Sequence, residues 1–158
     1  MQQPFVTVAV VIQHSRLDNR WQRDKWEVIG VVPDASPPGT PASVLYEDNS
    51  RVQWLHPGHS LSLHRDEAEG YFLNLSTPCP FVFVMWREED GRAAPHSVTA
   101  SYNEAARSLD GGESVEGVPM PPEWVPWLRD FVAMHYKPES NKTKIRPPSF
   151  KGARRDEI

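Results

Sequence analysis

Prolines fall mostly between the apolar runs of this chain, and that placement holds it to short elements. A proline lacks the amide that a helix interior or a central strand needs, so each one tends to close a segment. The chain has 16 prolines in 158 residues. The apolar runs between them therefore suit short strands and many turns better than long helices. The expected fold is mainly β (α+β): a small antiparallel barrel or a strongly bent sheet. A C-terminal helix packs on it, with a short second helix.

The first run, Phe5–His14, reads FVTVAVVIQH. Val6, Val8, Val10 and Ile12 share one face, and Phe5, Ala9 and Val11 the other. Apolar residues on both faces predict a central strand. WEVIGVV (Trp26–Val32) is a second strand, and Pro33–Ser43 is a turn-rich loop. VLYE and RVQWL are short strands about Asp48-Asn49. A meander then follows in SLSLHRD, YFLNLS, FVFVMWRE and HSVTASY. Leu61 and Leu63 point inward, Tyr71, Leu73 and Leu75 share a face, and Phe81, Phe83 and Met85 oppose Val82, Val84 and Trp86. STPCP is expected to link two strands, and the Asp90-Gly91 pair is a strong hairpin signal.

Two helices are expected. Ser101 and Glu104 have the spacing of a capping box, and the helix after them stops at Gly111-Gly112. PPEWVPWLRDFVAMHY opens with prolines, which a first helical turn tolerates. Trp124, Trp127, Leu128 and Phe131 then recur at helical spacing. Residues 1–136 form one β-rich domain and residues 137–158 a flexible basic tail.

Charge divides along the same line. Residues 137–158 carry seven basic and three acidic side chains, a net +4 against −8 for the remainder. An acidic body repels phosphate, so nucleic acid is not an expected partner. No run approaches the roughly 20 apolar residues of a membrane span, and the amino terminus lacks a basic lead. The expected compartment is the cytoplasm. The single cysteine, Cys79, lies between two prolines in an expected turn, with no base or cation nearby in sequence to activate it. No cofactor is expected, and no catalytic residues are assigned.

Two clusters remain. SRLDNRWQRDKW (Ser15–Trp26) sets two tryptophans among charges in a connection. Trp26 shares strand parity with Val28 and is expected in the core. Trp21, with Arg20 and Arg23, is either a binding anchor, since Trp and Arg concentrate interface energy, or a lid on the core. The second cluster is His56, His59, His64 and Glu67, a candidate metal or small-ligand set because such cations take nitrogen and oxygen ligands. On a straight strand His59 and His64 point to opposite faces. His64 and Glu67 are also candidates for partner binding, in an expected HRDEAEG hairpin.

The succession RLDNRWQRDKWEVIGVVP, LSLHRDEAEGYFLNLSTPCPFVFVMWR and VTASYNEAARSLDGGESVEGVPMPPEWVPWLRDFVAMHY resembles an uncharacterised proteobacterial family carrying a domain-of-unknown-function label. Genes of that family neighbour those of molybdenum formate dehydrogenase and its maturation proteins. The resemblance covers Phe5–Tyr136 and brings no catalytic residue with it. It implies a non-enzymatic accessory or assembly protein whose client is formate dehydrogenase or one of its maturation factors. The alternative function is a metal- or small-ligand-binding β-barrel using the histidines.

Overall fold

The computed structural model describes residues 3–16 and 24–138. Arg20, Trp21 and Arg23, and the tail from residue 139, lie outside the described residues. Strands β1 (Phe5–Ser15), β2 (Lys25–Pro33), β3 (Ser43–Glu47) and β4 (Arg51–Ser62) form one antiparallel sheet in the order β2-β1-β4-β3. After helix α1 (Ala68–Leu75) come β5 (Phe81–Glu89) and β6 (Arg92–Thr99), then helix α2 (Tyr102–Asp110) and β7 (Ser114–Pro119). These strands form a second antiparallel sheet, β6-β5-β7. Helix α3 (Val125–His135) ends the described chain, entered through a 3-10 turn at Pro122–Trp124.

The sheets pack face to face, and β1 is central as its two apolar faces require. Val8, Val10 and Ile12 meet Val82 and Val84 of β5 in one core. Burying such branched side chains contributes roughly 1.5–3 kcal/mol each. Helices α1 and α3 pack on each other and bring Tyr71, Leu128 and Phe131 into the same core. Helix α2 lies on β5 and β7, over the outer face that carries Phe83 and Met85.

No barrel closes. β2 packs beside β7 and β4 beside β6, but no ladder bonds join either pair. On the β2 side a side chain replaces the ladder: the Val28 N–H donates to Glu116 Oε1 at 2.5 Å.

Three local expectations change. YFLNLS is not a strand, and HRDEAEG is not a hairpin. Arg65–Glu67 is a 3-10 turn that runs into α1. The alternation of Tyr71, Leu73 and Leu75 competes with a helical pattern, Ala68, Tyr71, Leu75, and the helix wins because Ala68, Tyr71 and Asn74 are its buried positions. STPCP therefore joins a helix to a strand, with Cys79 exposed. RVQWL and SLSL belong to one strand, β4, since HPGH is a bulge rather than a turn. Strand β7 had no counterpart among the expected elements. The Asp90-Gly91 hairpin is present, both residues at positive φ (55° and 79°) as its turn requires.

A compact joint fixes α1 to α2. Ser101, fully buried, accepts the Glu104 N–H at 3.0 Å and donates to Glu67 Oε1. The capping box is met in part. Glu104 reaches not the Ser101 amide but the Thr99 hydroxyl, and Thr99 Oγ1 takes that amide at 3.0 Å. Gly70 lies so close that an added Cβ would run into Ser101 Oγ. We expect Gly70→Ala to cost about 1–3 kcal/mol in denaturant titrations, as overpacking does. Gly30→Ala, where a Cβ meets nothing within 4 Å, is expected to stay near wild type. Equal effects at the two sites would remove the joint as a constraint.

Candidate functional site

The bulge in β4 builds the site. Opposite it, Val8 pairs with His59 and Val10 with His56, so three steps on β4 answer two on β1. The extra residue is absorbed at Pro57-Gly58, with Gly58 at φ 89°, where a side chain would be strained. His56 and His59 therefore share the inner face with Val8 and Val10, although a straight strand would separate them. Trp54 and Leu61 continue that face.

Between β4 and the β5–β6 turn lies a groove of about 400 Å³, lined by Trp54, His56, Glu89, Arg92 and Ala93, with Pro41 at one end. The Arg92 guanidinium sits over the Trp54 ring, 4.5 Å from its centroid. Such stacking leaves the in-plane N–H groups free. Among the described residues, His56 Nε2 is buried without a hydrogen-bond partner.

The imidazoles along this seam lean toward the neutral form. Burial lowers the His56 pKa, helped by the charges of His59 and Arg92. Burial also lowers that of His59, with His96 adding to it and Asp34 opposing. Asp34 is itself held below the usual carboxylate range by Ser36 and by the Gly58 amide, which donates to Oδ2 at 2.9 Å.

The remaining candidates are dispersed. His64 lines a separate cleft of about 730 Å³ with Arg65, Asp66, Phe131 and Met134. Its backbone N–H donates to the buried Tyr71 hydroxyl at 2.8 Å, and burial pushes the Tyr71 pKa well up. Glu67 is bound to Ser101 and Arg107, so it serves the helix joint. Among the described residues no group of three or more His, Cys, Asp and Glu is placed to hold a metal ion. Nor is any helix long and apolar enough to cross a membrane. Trp26 packs against the core and stacks on His14, ring centroids 4.2 Å apart, while His14 Nε2 meets Asp24 at 2.9 Å.

Sequence reasoning missed Trp54 and Arg92. The signal for Trp54 was its parity with His56 in RVQWLH. Arg92 directly follows the Asp-Gly turn that aims it back at β4.

The other surface of note is β3. All five of its residues are exposed, including Val44, Leu45 and Tyr46, and its outer edge pairs with no strand among the described residues. At its end Asp48 accepts the Tyr46 hydroxyl at 2.7 Å, with the Ser50 and Arg51 amides, and its pKa falls to about 2.

These features define a two-sheet antiparallel β protein with an open sheet edge at β3 beside a ligand-sized groove. The chain belongs to the family described as protein of unknown function (DUF3305), whose model matches residues 7–146. No curated protein and no solved structure matches it.

The lowered histidines set a pH dependence. Between the folded pKa values and the ordinary 6.5, the unfolded chain binds more protons than the folded one. Stability is then fully present above 6.5 and is lost as pH falls through that window. We expect Tm to drop from pH 7.5 to 5.5, and His56→Gln with His59→Gln to flatten the slope. An unchanged slope in the double variant would place the dependence elsewhere.

Proposed function

We propose that this is a non-enzymatic accessory protein that binds a client by adding an extended client segment to β3. The observation that carries the reading is the contrast between the edges of the larger sheet. The β2 edge has β7 packed beside it and its Val28 amide bonded to Glu116, whereas the β3 edge pairs with no strand among the described residues and carries Val44 and Leu45 at 47% and 54% exposure. Proteins usually blunt such edges with charges or proline, and an open apolar edge is the template for strand addition. A bulge between Val44 and Tyr46 limits the pairing to a short segment.

The family resemblance makes molybdenum formate dehydrogenase and its maturation factors the first clients to test, in the cytoplasm. Arg20, Trp21 and Arg23 are proposed as a second contact, and the cleft at His64 as a third. Affinity purification of the tagged chain from its host, with mass spectrometry, checks this. Wild type is expected to bring down one of these clients. Val44→Lys with Leu45→Lys is expected to reduce recovery at least tenfold, about 1.4 kcal/mol, without lowering Tm. Recovery unaffected by the edge variant sinks strand addition, and absence of these proteins from the wild-type sample sinks the client.

A further inference from the structure

We propose that the groove between β4 and the β5–β6 turn is a binding site for a carboxylate, held by Arg92 and His56 with its apolar body lying against Trp54 and Ala93. Two groups in the groove lack partners. His56 is one of the lining residues, and its Nε2 is buried without a hydrogen-bond partner among the described residues. The Arg92 guanidinium makes no ion pair or hydrogen bond with the described residues, only its contact with the Trp54 ring. A guanidinium offers a two-pronged donor that matches a carboxylate, and an Nε2–H imidazole adds a third donor. An anion answers both.

The kind of anion follows from charge and lining. Among the described residues Arg92 is the only full cation lining the groove, and Glu89 and Asp90 line it as well. With two carboxylates nearby, the one guanidinium fork suits a singly charged carboxylate better than a doubly charged phosphate, which they would repel more strongly. Pro41, Ala42, Trp54, Ala93 and Ala94 supply an apolar lining for a small organic body. The volume of about 400 Å³ lies in the range of small-ligand sites. A free organic acid and the terminal carboxylate of a peptide share this chemistry.

Histidine NMR of the full chain separates them, with benzoate as the free acid. As the peptide probe we choose an acetylated tripeptide ending in alanine, with its C-terminal amide as control. We expect saturable shifts of the His56 ring signals with at least one acid, and at least tenfold weaker binding in Arg92→Gln. Arg92→Lys, which keeps the charge and loses the fork, should fall between. Benzoate binding makes free acids the ligand class; binding of the tripeptide acid alone makes it a chain terminus. No saturable shift with either acid overturns the site. So does equal binding by the amide, a comparison made on wild type and independent of how any variant folds.

Discussion

The approach of α1 to the start of α2 is the constraint on which the helical end of the molecule depends. Gly70 faces Ser101 with no room for a side chain, and Ser101 spends its hydroxyl on both helices at once, donating to Glu67 and accepting from Glu104. One turn further along α1, Asn74 is 1% exposed and bonds through both N–H groups and the oxygen of its amide. It donates to the Phe81 and Ala100 carbonyls at 2.8 and 2.9 Å and accepts the Phe81 N–H at 2.9 Å. Each buried partner left unpaired would cost about 1–3 kcal/mol. These polar contacts fix where β5 begins and where β6 ends. They thus tie α1 to the smaller sheet, whose β5–β6 turn carries Arg92.

At the opposite end the geometry rests on one inserted residue. Without the Pro57-Gly58 bulge, His56 and His59 would project from opposite faces of β4, and one of them would lie in solvent. With it, both join the seam between the sheets, where burial disfavours their charge. Burying two imidazoles beside each other and beside Arg92 works against stability at low pH. Simple structural economy would place apolar residues there, as it does at Val52 and Leu61 on the same face. A cost of that kind, next to an unpartnered ring nitrogen, is the pattern expected where a fold gives up stability for binding.

Much of this was legible in the sequence, for physical reasons that can be named. β1 and β5 showed through β-branched and aromatic runs that are apolar on both faces, the β5–β6 turn through Asp-Gly, and α2 through the serine that caps it. Helix α1 was misread because Tyr71, Leu73 and Leu75 satisfy a period of two, while its helical face includes Gly70 and Asn74. Those residues are buried for close approach and for hydrogen bonding, not for apolarity. β7 was missed because Ser114–Pro119 contains a glycine and a glutamate, and Glu116 faces inward to bind a backbone amide. The bulge was invisible to parity counting, which assumes straight strands. The candidate set of His56, His59, His64 and Glu67 is therefore divided: the bulge puts His56 and His59 on one face, and the chain carries His64 and Glu67 to the helical end.

The groove and the open edge share one cause, a mismatch in strand number. Four strands stacked on three leave one without a partner sheet. Since β2 aligns with β7 and β4 with β6, the unmatched strand is β3. An overhanging strand cannot bury its inner face, so Val44 stays exposed. The space beneath is bounded by Trp54 and His56 on β4 and by the hairpin turn below. A fourth strand in the smaller sheet would fill that space and protect the edge together. Edge and groove are thus adjacent by construction: a segment added to β3 would pass along the mouth of the groove, where a carboxylate on that segment could meet Arg92.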